Sequence, residues 1–189
     1  MVDQKKVKGF FAGVEGEQGS SQPDLLPTRT KDGAPAGNRW LLHMVEGEVE
    51  VRHTKDDEFP YLSYRAEVDE PDEYAGRTVF GMFFFPRPVD GGDEEEVQEK
   101  YNNQVARVVG QVDAILGPGT CGGLEEEELE ATLEELAPLL ENAAFVGKIG
   151  KERGKRKDPD DQAKDAERYP DRNRISYFEP ADTWVSADA

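Results

Sequence analysis

Eight residues, Tyr61–Val68 (YLSYRAEV), alternate in side-chain character with a period of two. Leu62, Tyr64, Ala66 and Val68 fall on one face, and Tyr61, Ser63, Arg65 and Glu67 on the other. A helix cannot separate residues this way, because its faces recur about every 3.6 positions. The pattern is that of a half-buried strand, so the middle of the chain must join a sheet with one covered face. The preceding run, WLLHMVEGEVEVRH from Trp40 to His53, supplies Val45, Val49 and Val51 at positions suited to a pleated surface, with an irregularity expected at Gly47. The following run, RTVFGMFFFP from Arg77 to Pro86, is apolar on both faces: Val79, Phe83 and Phe85 on one, Phe80, Met82 and Phe84 on the other. Either set could be the core.

The period then changes. Val97, Tyr101, Val105, Val108, Val112 and Ile115 recur at three- and four-residue steps, the mark of an amphipathic helix whose acidic start at Asp93 to Glu96 complements the helix dipole. GPGTCGG breaks it. Leu124, Leu129, Leu133 and Leu136 resume the helical period until Pro138, which is expected to stop it. Strand patterns return in AFVGKIG and NRISYFEP, joined by a long charged loop. Three strands, two helices between strands 3 and 4, and two more strands predict a mainly β protein: a five-stranded, partly open barrel of the oligonucleotide/oligosaccharide-binding (OB) type, with an α+β sandwich as the alternative. The expected organisation is a flexible arm over 1–39, rich in Gly, Pro and Ser, a domain over 40–180 with its helical insertion at 93–141, and an acidic tail over 181–189.

Composition narrows the function classes. No stretch has the roughly 20 apolar residues of a membrane span, and the N-terminal residues lack the apolar run of a signal peptide, so a cytoplasmic protein without membrane contact is expected. Cys121 is the sole cysteine, and with only His43 and His53 beside it neither an internal disulfide nor a Cys/His zinc site can form. There is no phosphate-cradling Gly-rich loop, no nucleophile elbow and no His-centred acid-base set, so the expectation is a protein without catalytic residues, metal or cofactor.

The net charge of -18 is unevenly spread. Residues 40–141 carry 26 acidic against seven basic groups, whereas residues 142–178 carry ten basic against seven acidic. The reversal centres on KIGKERGKRK, where Lys148, Lys151, Arg153, Lys155, Arg156 and Lys157 surround a single acid. In an OB barrel the loop between strands 4 and 5 flanks the ligand groove, and cations there would meet phosphates and release counterions. A solvated loop that offsets an acidic protein is the plainer reading. Single-strand binders also stack bases on exposed rings. Tyr61, Tyr64, Phe80, Phe84 and Tyr177 are the available rings, about half of which must fill the core; Tyr61 with Arg65, and Phe80 or Phe84, are the preferred surface candidates. Arg77, Arg172 and Arg174 are candidate backbone contacts.

Four stretches in order, the strand-turn-strand of Trp40 to Val68, AGRTVFGMFFF (Ala75 to Phe85), LAPLLENAAFVGKIG (Leu136 to Gly150) and NRISYFEP (Asn173 to Pro180), resemble a family of phage-encoded single-stranded-DNA-binding proteins with an OB-like fold. The resemblance implies sequence-independent binding of single-stranded DNA in support of phage DNA replication or recombination, in the host cytoplasm. The C-terminal stretch around Trp184 could dock replication or recombination proteins or lie over the groove. A different class stays open: an acidic interaction or DNA-mimic protein that meets a basic partner through Glu94 to Glu96 or Glu125 to Glu130. A carboxylate-metal nuclease is a third reading.

Overall fold

The computed structural model describes residues 25–54, 59–85, 94–121, 129–155, 157–158 and 167–185. The strands are β1 (Arg39–His53), β2 (Pro60–Glu70), β3 (Thr78–Phe83), β4 (Ala144–Glu152) and β5 (Arg172–Pro180), with helices α1 (Glu94–Leu116) and α2 (Leu129–Leu140) between β3 and β4. All pairings are antiparallel and form one five-stranded sheet in the order β3-β2-β1-β4-β5. The sheet is not closed: β3 and β5 share no ladder. It curls far enough for these two edges to meet through side chains, with the Phe83 and Phe178 ring centroids 5.4 Å apart.

The alternation read from β2 holds throughout, since Leu62, Tyr64, Ala66 and Val68 are all buried. β1 behaves differently on either side of Gly47, which sits at φ 71°. Met44 pairs with Ala66 and Val49 with Tyr64, so five steps along β1 match two along β2. The three extra residues form a wide bulge that reverses the parity of the strand: Trp40, Leu42 and Met44 face the core before it, Val49 after it. Only Arg39–His43 pair with β4, so the bulge lies where β1 leaves one half of the sheet and continues with the other. In β3 the ambiguity is resolved. Val79, Phe83 and the adjoining Phe85 are core, and Phe80, Met82 and Phe84 are exposed.

α2 buries Leu129, Leu133, Leu136 and Leu140, one face at helical spacing, against β1 and β2. Pro138 does not stop this helix, as its sequence suggests, but lies inside its last turn. A proline there forfeits one hydrogen bond close to the end, and the turn it completes places Leu140 fully in the core. Asn142, at φ 60°, then reverses the chain, and its N–H donates to the Met44 carbonyl at 2.9 Å. α1 docks through its C-terminal half. Val108 and Val112 are buried, while Val97, Tyr101 and Val105 are only half-covered, so the apolar series read from sequence is longer than the contact it makes.

Segments on either side of 40–180 also contact the sheet. The stretch up to Arg39 is expected as a free arm, yet from Leu25 it packs on the sheet: Leu26 and Ala34 are core residues, and Asn173 of β5 holds Leu26 by both backbone groups, at 2.7 and 3.1 Å. Low apolar content hid this segment, because two small contacts and side-chain-to-backbone bonds leave no periodic signature. At the other end, Ala181–Val185 is not free tail. Trp184 donates from its indole to Glu70 at 2.8 Å, and Arg39 joins Glu179 and Thr183. Residues 1–24 and 186–189 lie outside the described residues. Among the described residues no helix is long and apolar enough to cross a membrane.

Candidate nucleic-acid interface

Because β2 and β3 alternate in register, their outer faces bring together the residues that the core rejects. Arg65 lies opposite Phe80, and Ser63 opposite Met82. Phe80 is 65% exposed, Met82 42% and Phe84 47%. Tyr61 and Phe84 stack at 4.6 Å between centroids with an angle of 22° between planes. The arginine at the centre of this face is held by Glu48, Nη1 to Oε1 at 3.3 Å, while its Nε is enclosed without a partner. Two rings and a methionine so exposed lose the hydrophobic stabilisation of burial and form an apolar patch on one face.

Around the edge of β3 the surface falls into a cavity of about 570 Å³, bounded by β3, α1 and β5. It occupies the open seam of the sheet. α1 contributes Gln104, Arg107, Val108 and Gln111, one helical face at three- and four-residue steps, and β5 contributes Arg172, Arg174 and Ser176. Phe80, Met82 and Phe84 form its rim on the β3 side. Three arginines thus face one carboxylate, Glu152, which Arg172 engages with two bonds of 3.1 and 3.2 Å. The Arg172 hydrogen bond holds the Glu152 carboxyl below its usual range. In a chain of net charge -18 this is a locally cationic groove.

Of the residues singled out in sequence, the structure gathers Phe80, Phe84, Arg172 and Arg174 around this groove, with Tyr61 and Arg65 on the adjoining face. Among the described residues, none of the cations of the basic run lines the groove. Lys148 lies over the Tyr177 ring at 5.2 Å, and Lys151 pairs with Asp171 at 2.9 Å. Lys157 pairs with Glu167. Lys155 accepts the Tyr169 N–H at its carbonyl and Lys157 donates its N–H to Glu167, so the two limbs of the segment continue the β4-β5 hairpin. Arg153 and Lys155 are exposed on it, and Arg156 lies outside the described residues. Arg77 stands over Tyr74 at 5.1 Å in the turn between β2 and β3, away from the groove. Tyr64 is core, but its far end reaches the seam.

Sequence reading missed Arg107, Gln104, Gln111 and Met82. The helical residues were legible in principle, since they flank Val108 and Val112 on the face that packs. Acidic candidates are placed in part: Glu96 pairs with Lys100 at 2.6 Å and Glu130 with His53 at 3.1 Å, while 125–128 lie outside the described residues. The Ala181–Thr183 turn packs on β4 and Trp184 bonds Glu70 at the end of β2, and neither lines the groove. Among the described residues no three His, Cys, Asp or Glu side chains converge to hold a metal ion. No family model, curated protein or solved structure matches the chain.

Proposed function

We propose that this chain is a non-catalytic single-stranded-DNA-binding protein, and that the curled sheet works as an OB-type barrel left open between β3 and β5. The observation that carries the reading is the joining of the exposed rings of Phe80 and Phe84, with half-buried Tyr61 stacked on Phe84, to a groove holding Arg107, Arg172 and Arg174. Rings stack on any base, at about 1 to 3 kcal/mol each, and guanidinium groups pair with any phosphate, so the combination suits a single strand irrespective of sequence. The strand order and the approach of β3 to β5 support the barrel reading, since the face of strands 2 and 3 is the one OB folds use for oligonucleotides. Support of phage DNA replication or recombination in a host cytoplasm, with partners met through the C-terminal residues, is the role we assign to this binding.

The test is fluorescence anisotropy of a labelled oligo-dT, and of a mixed-sequence oligonucleotide of the same length, at low and moderate salt. Comparable affinity for the two, weakened by salt, is the expected result. Absence of binding at low salt would overturn the reading and direct attention to basic protein partners for the acidic surface.

A further inference from the structure

The groove contains a buried ring, Tyr64, whose polar end has no hydrogen-bond partner among the described residues. Tyr64 pairs in register with Gly81 of the edge strand β3, and its ring is wedged between Phe83 at 4.8 Å and Phe178 at 6.4 Å. The end of the phenol lies where a side chain at position 81 would be: a Cβ there would overlap both Cζ and the hydroxyl oxygen. Glycine at 81 therefore lets the phenol pass β3 to the seam, and Tyr64 lines the groove although it is only 3% exposed. Its hydroxyl donates to no described residue. Nor is it among the enclosed, unpartnered polar atoms, which are the Nε atoms of Arg39, Arg65 and Arg168, so the hydroxyl meets the open groove. Burial raises the phenol's pKa and Arg174 opposes the rise, which keeps the hydroxyl protonated and places the guanidinium nearby.

From this placement we infer that Tyr64, Arg107 and Arg174 form a phosphate subsite at the floor of the seam, which holds one phosphodiester of the bound strand by its non-bridging oxygens. The inference rests on the single-strand reading above and adds an orientation to it. Two guanidinium groups can only donate and the protonated phenol can donate beside them; phosphate oxygens only accept, whereas base edges carry donors as well, which the guanidinium groups cannot meet. The backbone then runs in the seam, and the bases turn outward over β3 onto Phe80, Phe84 and Tyr61. Base edges go unread.

The experiment uses the full chain and its Tyr64→Phe variant. Since the hydroxyl has no hydrogen-bond partner among the described residues, Y64F should melt as the wild type does. Its affinity for oligo-dT should fall about tenfold, the loss of one hydrogen bond to a charged acceptor. The same loss should persist on an abasic oligonucleotide of equal length and vanish on an oligo-dT whose backbone is methylphosphonate. Unchanged affinity in Y64F, or a loss that persists on methylphosphonate and vanishes on the abasic strand, would overturn the subsite. If the wild type binds no oligonucleotide, titration with inorganic phosphate separates the two ideas. Saturable shifts of the Arg107 and Arg174 Nε–H resonances in the wild type, weakened in Y64F, would uphold the anion site while the single-strand reading fails. Their absence would overturn both.

Discussion

Replacing Arg107 and Arg174 by glutamine removes two of the three cations that face the groove and leaves its aromatic rim in place. Glutamine keeps much of the side-chain length, so the loss is chiefly of charge. For single strands the slope of log K against log salt is about -0.7 per phosphate neutralised. Three groove arginines then predict a slope of about -2.1 for the wild type and about -0.7 for the double variant. Between 50 and 200 mM salt, affinity should drop about 18-fold in the wild type and about 2.6-fold in the variant. Anisotropy titrations of labelled oligo-dT at four or five salt concentrations give both slopes. A Phe80→Ala, Phe84→Ala variant should behave in the opposite way, weaker by about 2 to 6 kcal/mol at every salt concentration but with the slope unchanged. If the arginine variant keeps the wild-type slope, the phosphates are neutralised elsewhere, and the exposed cations of the β4-β5 hairpin, Arg153 and Lys155, would be the first place to look.

Three further outcomes follow from packing and burial. Gly81→Ala should destabilise the fold by about 1 to 3 kcal/mol, because its methyl group would overlap the Tyr64 phenol; a urea midpoint equal to that of the wild type would contradict this contact. Asn173→Ala removes both bonds to the Leu26 backbone and should cost about 1 to 3 kcal/mol, with proteolysis around Leu26 accelerated, whereas unchanged protection would mean that the segment is held by other means. Burial, with a smaller contribution from Asp113, pushes the Cys121 thiol up to about 11, so at pH 8 alkylation should be slow in the native protein and fast in denaturant. Since the unfolded thiol ionises first, the stability held by the neutral folded thiol is complete below its ordinary value and is lost as pH rises toward 11; a Cys121→Ser variant should flatten that part of the profile.

Much of the sheet was legible because burial on one face writes a period of two into β2 and a break into β1 at Gly47. Strand count and helix placement followed from such periods. The face of β3 was not legible, since Phe, Met and Val stand on both sides of it, and only the position of Tyr64 beneath Gly81 and of Phe178 across the seam makes Phe83 the inner ring. For the site, the rings and the β5 arginines could be picked out as residue types, but Arg107 lies more than sixty residues from Arg172 and joins it only through docking of α1 on β5. The basic run drew attention by charge density alone. Charge density does not reveal that Asp171 and Glu167 return along the opposite limb to meet Lys151 and Lys157.

A cationic seam in a body of net charge -18 has a kinetic meaning for any polyanion that enters it. During its approach a strand meets the field of the negative whole, which reaches about 10 Å near 0.1 M salt and farther in less salt; only at close range do the three arginines outweigh it. Repulsion at long range and attraction at short range lower the encounter rate, so added salt would hasten association even as it speeds release. A flexible strand can pass this barrier by threading one segment at a time, whereas a stiff duplex must bring its full charge density to the rim at once.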